Sequence, residues 1–425
     1  MISSEATKTA GTDVHHLLGQ PGDLAGHLHV HGPLILPDGH HQRRALAANL
    51  EASGLHGRGG GDFPTSVKLA VASSAGRGGT VVVNAMEGEP ASDKDKLLLH
   101  RTPHLVLDGA QYLAAVCRSS RVVVCVPAGR EVTAEAVAHA MAERRRSRCA
   151  PVNETLVRPP DRFVGGEETA LVNFVESGSS LPVFRPDKGV PLRIGRQASL
   201  VHNAETLAHV ALIARWGPGP FRARGLAEEP GTCLVTIGGA VTHPGVVEVD
   251  RGTPLWDIAH RATPTEPPQA FLVGGFAGSW VGPDSFATPY ASGPLRAIGA
   301  RAGVGVIVVL GASSCGVAET ARIARYLAAQ SAGQCGPCVY GLPAIAEDLE
   351  RLARGRGDYN LLPRLRRRLA QVDGRGACRH PDGAVALVRS ALTVFADDVA
   401  SHCAGAPCSH HRRPTSMRLP APITL

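Results

Sequence analysis

A chain of 425 residues is too long for one hydrophobic core, so two to four domains are expected, and a hydrophobic fraction of 44 % is that of a soluble globular protein. The net charge of +7 comes from scattered arginines, clustered only at Arg144–Arg146 and Arg364–Arg368 without interleaved aromatics, which argues against nucleic acid. No run of about 18 apolar residues proposes a membrane span, no basic-then-apolar leader opens the chain, and ten cysteines in such a chain point to reduced thiols in the cytoplasm.

Residues 1–44 are polar and His-rich, with His15, His16, His27, His29, His31, His40 and His41. Lacking carboxylate or cysteine support, they read as a partly ordered extension rather than a metal site.

The stretch Gly54–Thr65, GLHGRGGGDFPT, follows, with five glycines in the eight positions from Gly54 to Gly61. Such backbone reaches positive φ and lets its amides form an anion nest, to which a following helix N-terminus adds. A nucleotide or flavin phosphate fits, although Asp62 stands where a dinucleotide fingerprint wants its third glycine.

From Thr80 the pattern turns regular. TVVVN (Thr80–Asn84) and RVVVCVP (Arg121–Pro127) are buried strands, with helical spacing from His104 to Cys117 between them. Thr133–Arg145 is a second helix with Thr133 as N-cap, and Glu154–Val157 a third strand. This alternation predicts a parallel sheet whose strand ends carry the chemistry. The loop after Asn84, NAMEGEPASDKDK, is either a solvated charged loop or a set of acids for a nucleotide's ribose. The turn GGEETAL opens a helix that Glu167 and Glu168 suit as capping residues or as further ribose ligands. Asn203 is a natural N-cap for a helix over Glu205–Ala214.

Gly217–Gly231 reads as a linker. Beyond it, Cys233–Val241 and Gly245–Asp250 form a hairpin, PLWDIAHRA a short helix and FLVGGFAGSWV a strand pair, in a module suited to packing or docking. The last domain starts near VGVIVVL (Val304–Leu310) and continues as four helices, Ala318–Gln330, Leu342–Ala353, Leu361–Val372 and Ala384–Ala400. Cys335 and Cys338 form a CxxC between the first two, and Cys378 follows the third, a set that points to soft-metal ligation.

Taken together, GLHGRGGGDFPT, NAMEGEP, GGEETAL, HNAET and SAGQCGPC with Cys378 resemble, in order, the motifs of the flavin-carrying, NADH-oxidising subunit of respiratory complex I and of NAD-linked hydrogenases and formate dehydrogenases. The resemblance covers roughly Leu50 to Ala400. It implies an α/β flavin-binding domain with a parallel sheet, then a small β-grasp-like α+β domain, then a C-terminal four-helix bundle. The bounds expected are 1–44 for the extension, 45–228, 229–298 and 299–402 for the three domains, and 403–425 for a tail.

The resemblance also implies FMN on Gly57, Arg58, Gly59, Gly60, Lys68, Asn84 and Asn203, and NADH against Phe63, Glu87, Glu89, Glu167 and Glu168. Cys335, Cys338 and Cys378 would hold an iron–sulfur cluster of the 4Fe-4S or 3Fe-4S kind. The flavin carries the chemistry, so no general base is needed. Electrons would pass to a ferredoxin-like or other redox protein, without nucleic acid or membrane insertion.

Departures from the family pattern are Ala332 for a cluster cysteine, Met86 for an Asp, His202 for an Asn, Leu69 and Val71 for a Trp and a Phe, and Asp62 for a glycine. They leave open a non-catalytic relative that keeps only the fold, and a flavoprotein reduced by a donor other than NADH.

Overall fold

In the computed structural model, which describes residues 16–19, 22–76, 78–185 and 190–410, two five-stranded sheets sit ahead of a helical C-terminal part. The first sheet holds β1 (Thr80–Asn84), β2 (Arg121–Cys125), β3 (Asn153–Val157), β4 (Arg193–Ile194) and β5 (Gln197–Asn203), in the order β3-β2-β1-β5-β4. Strands β1, β2, β3 and β5 run parallel, and β4 is an antiparallel edge. Val81, Val82 and Val83 are buried on both faces, as the continuous valine run requires of a parallel sheet covered by helices.

Helix Pro103–Cys117 crosses from β1 to β2 and packs along helix Ala204–Trp216. Gly109 permits that approach, because a Cβ added there would lie 1.9 Å from the carbonyl oxygen of Leu207. Beside it, the Asp108 carboxylate is buried and receives Arg144 Nη1 at 2.6 Å, His27 Nε2 at 2.8 Å and the Arg215 guanidinium. Against the opposing push of burial, the His27 hydrogen bond and the Arg144 and Arg215 charges hold the Asp108 carboxyl well below its usual range. His27 belongs to the helix Leu24–His31, so the His-rich stretch is in part docked structure, while His15 lies outside the described residues.

The second sheet is mixed: β6 (Thr232–Gly239), β7 (Gly245–Asp250), β8 (Pro268–Val273), β9 (Ser279–Val281) and β10 (Val306–Gly311), in the order β7-β6-β10-β8-β9. The hairpin and the strand pair fall where the sequence puts them. The run expected to open the helical domain does not: β10 is the central strand, parallel to β6 and antiparallel to β8. A fully buried apolar run carries no mark of its partner, so sequence order alone assigned it to the wrong neighbour.

The helical part contains Gly316–Ala329, Leu342–Ala353, Leu361–Val372, His380–Val394 and Ala396–Cys403. The expected helix Ala384–Ala400 is thus two helices broken at Phe395, which packs on Gly316 and lies 5.2 Å from the Trp280 ring. Thr133 is not a cap either. It lies inside helix Glu131–Arg146, where its hydroxyl meets His100 at 3.2 Å.

Candidate functional site

Strand order reverses between β1 and β5, and parallel sheets bind ligands outside the carboxyl ends of the strands at that point. Asn84 and Asn203 end these two strands side by side in register. Asn84 Nδ2 donates to Gly166 O at 2.8 Å and its Oδ1 accepts from Met86 N at 3.2 Å, which fastens the second acidic turn to the strand end. Asn203 caps its helix by accepting from Glu205 N at 3.0 Å, and its amide nitrogen donates to Asp95.

The glycine loop lies over Asn203. A Cβ on Gly59 would come within 3.1 Å of Asn203 Cβ, a tight contact, and Gly60 has φ of 96°, a conformation that favours glycine. The Gly57 amide donates to Phe63 O and the Arg58 amide to Thr206 Oγ1, each at 2.9 Å. The amides that follow, Gly59 to Gly61, make no internal hydrogen bond among the described residues. That is the donor set an anion such as a flavin phosphate requires. Asp62, in the place of a family glycine, turns its carboxylate onto Ser292 and His56. Despite burial, these two partners hold it below the usual carboxylate range.

The loop partitions two hollows, with Gly61 on the border of both. The larger is a cleft of about 630 Å³ walled by Phe63, Lys68, Val71, Glu167, Glu168 and Cys378. A volume in this range accepts a flavin-sized ligand. Lys68 Nζ pairs with Glu168 at 3.1 Å and donates to Val201 O at 3.3 Å. Glu167 caps helix Glu168–Ser177, accepting from the amides of Thr169 and Ala170, and burial pushes its carboxyl up. The smaller hollow, 340 Å³, lies on the far side of the loop and is bordered by Gly57, Arg58 and Gly60.

Other expected ligands are engaged elsewhere. The buried Arg58 guanidinium donates to Thr232 O at 3.2 Å and Pro230 O at 3.4 Å, and so ties the loop to β6. Glu87 accepts from Ser92 Oγ at 2.7 Å and from the amides of Asp95 and Lys96, capping helix Lys94–Arg101. Glu89 is turned from the cleft towards the second sheet, where it accepts from Phe276 N at 2.8 Å. Burial pushes its carboxyl up to about 7.

Four buried groups complete the site, Lys94, Glu205, Asp95 and His202, none of them among the ligands expected from the sequence. Lys94 Nζ donates to Arg58 O at 2.7 Å and pairs with Glu205, whose other oxygen accepts from Leu234 N at 2.8 Å. The Lys94–Glu205 pair thereby ties the glycine loop, helix Ala204–Trp216 and the second sheet together. Asp95 next to it is raised to about 7 by burial, in spite of Lys94, and its Oδ1 has no protein partner. His202 is held down at about 3 by burial and by Lys68, so it is neutral, with Nε2 unpartnered. Two orphaned buried atoms beside the strand ends fit a site that a polar ligand completes.

Cys335, Cys338 and Cys378 are brought together: Cys335 and Cys378 both push the Cys338 thiol upward, and Cys335 also pushes Cys378. Burial above all raises Cys338, to about 12. Ala332 stands beside them, its amide donating to Cys338 Sγ. Three thiols match three irons of a cuboidal cluster, and Ala332 supplies no donor for a fourth. Cys378 also lies on the wall of the 630 Å³ cleft, close to Glu167.

Residues 50–212 match the Nuo51 FMN-binding domain, and residues 318–402 match the NADH-ubiquinone oxidoreductase-F iron-sulfur binding region. The chain is 28 % identical over 377 residues to the F-2 subunit of the NADH-quinone oxidoreductase of Rhizobium meliloti, spanning 85 % of this chain and 89 % of that protein. The NADH-quinone oxidoreductase F subunit of Streptomyces coelicolor is likewise 28 % identical over 377 residues, covering 85 % and 84 %. The crystal structure of NAD+-reducing [NiFe]-hydrogenase in the H2-reduced state superposes with a TM-score of 0.79 at 28 % identity, over 85 % of this chain. The match spans 63 % of that longer chain, less than two thirds. No described helix is long and apolar enough to cross a membrane.

Proposed function

We propose, for a chain that joins a Nuo51-type FMN-binding domain to an iron–sulfur binding region of the NADH-ubiquinone oxidoreductase-F type, that it is an NADH dehydrogenase-type oxidoreductase. With FMN and a cluster bound it would take hydride from a nicotinamide nucleotide and pass electrons singly to a protein acceptor, a ferredoxin-like partner or another redox protein. The observation that carries this reading is one shared wall: Lys68, Glu167 and Glu168 border the same cleft as Cys378. A flavin there has the cluster's cysteine for a neighbour.

Bound FMN would supply the conversion of two-electron to one-electron chemistry. The residues do the rest. Gly59 to Gly61 offer amides and Lys68 a cation to the phosphate, while Asn84 and Asn203 hold the strand ends at fixed spacing. Phe63 presents an aromatic face to the nucleotide from the rim of the cleft. Arg58, Glu87 and Glu89 act through the backbone that they fasten. The second sheet, β-grasp-like in this reading, offers the docking face for a partner. None of the ten cysteines forms a disulfide, which suits a cytoplasmic setting.

The test is anaerobic purification with flavin and iron quantitation, followed by titration with NADH. About one FMN per chain, bleached by NADH, is expected. A colourless protein that takes up no flavin overturns the reading. A second reading rests on Val71, a small residue in the cleft wall where the family pattern has a Phe. It makes the protein a flavoprotein with another electron donor, and is favoured if dithionite bleaches the flavin and NADH does not.

A further inference from the structure

Far from the cluster cysteines, Cys315, His402 and Cys408 bring two thiols and an imidazole together, with their ligand atoms all within 4.8 Å of one another. We propose that these three residues form a second metal site, one that binds Zn2+ and clamps the segment after the last helix onto the start of helix Gly316–Ala329.

The donor set is that of zinc: two soft thiolates and a nitrogen, leaving one tetrahedral position for a water. Bond lengths of about 2.3 Å to sulfur and about 2.0 Å to nitrogen place tetrahedral donors about 3.5–3.8 Å apart. Cys315 Sγ and His402 Nε2 stand 3.6 Å apart. The imidazole is already set as a ligand. Its Nδ1 donates to Leu352 O at 3.1 Å, since a carbonyl can only accept, and the Nε2 lone pair therefore faces the thiols. In the metal-free arrangement that lone pair receives the Cys408 amide at 3.2 Å, a contact the metal replaces. Cys315 is the N-cap of its helix, its sulfur accepting from Ala318 N at 3.4 Å, which fixes the thiol at the helix start facing His402. Binding balances as one Zn2+ taken up and two thiol protons released.

Two rulers separate this site from the cluster cysteines. Cys315 and Cys335 lie beyond opposite ends of the 14-residue helix Gly316–Ala329, about 21 Å long. Leu352, which orients His402, is at the far end of helix Leu342–Ala353 from Cys338, a helix of 12 residues and about 18 Å. The zinc site therefore cannot supply the ligand missing at Ala332, and its occupancy is independent of the redox reading.

The experiment takes the full chain as isolated with its cluster, dialysed against Zn2+, with zinc counted by atomic emission and its ligands read by X-ray absorption. About one zinc per chain with a shell of two sulfurs and one imidazole is expected. Cys408→Ser should lower retention more than about tenfold, with the iron content and circular dichroism unchanged, because Cys408 lies outside the helices. No retained zinc, a three-sulfur shell, equal retention by Cys408→Ser, or a Cys315–Cys408 disulfide in the freshly isolated protein each overturns the proposal.

Discussion

Replacing Lys94 by methionine is the sharpest probe of how the glycine loop is held. The Lys94 and Glu205 side chains are 2 % and 0 % exposed, so the substitution leaves a carboxylate in the interior without its cation. Breaking a buried pair from one side costs about 3–5 kcal/mol, well above the value of any surface ion pair. Lys94→Met also removes the donor to Arg58 O, so the loop loses its anchor and flavin should leave on dialysis. Asp95, already near 7 with Lys94 as its main favourable charge, should then carry a proton at neutral pH. The double variant Lys94→Met/Glu205→Gln removes both charges and keeps an acceptor for Leu234 N, so it should recover at least about 2 kcal/mol of the loss. Urea unfolding of the four proteins, with the m-value checked for constancy, measures the coupling. A loss below about 1 kcal/mol in the single variant, or strict additivity in the cycle, would refute the argument.

Three further outcomes are expected. Gly109→Ala drives a methyl into Leu207 O and should cost more than about 3 kcal/mol, seen as failure to fold or a large drop in Tm; a shift of only a few degrees removes the close helix contact from the account. Glu89 keeps its proton in the folded chain up to about 7 but loses it near 4.5 when unfolded, so stability should fall as pH rises through that window, by about 3 kcal/mol. Glu89→Gln should flatten that dependence, and an unchanged slope would mean another group sets it. Ala332→Cys places a thiol beside Cys338 and should slow iron loss to a chelator severalfold, whereas Cys335→Ser should hasten it; no change in the first variant puts Ala332 off the cluster.

The proposed hydride-to-electron role rests on groups that differ in how plainly the chain displays them. Val81–Val83 and Val122–Val124 are continuous apolar runs that mark buried strands, and their alternation with helices is what predicts a parallel sheet. The cap roles of Glu167 and Asn203 follow from local rules about helix ends and stand in the structure as expected. β5 was not foreseen, because Gln197–Asn203 mixes polar and apolar residues and runs into a helix without a turn. Only its pairing with β1 makes it a strand. Helix Thr65–Ser74, directly behind the glycine loop, was foreseen only as an unplaced helix start.

What the sequence by itself determined were the local and the chemical parts: glycine where φ is positive, caps where helices begin, and cysteines at ligand spacing. Those depend on neighbours a few residues away. The tertiary structure alone decided which charges are buried and which cysteines share a metal. Lys94 reads as one more charge in an acidic loop until Glu205 folds against it, 111 residues later. Cys315 and Cys408 are unremarkable until helix packing closes the gap between them. Desolvation and coordination are properties of a place in space, and sequence spacing carries no record of either.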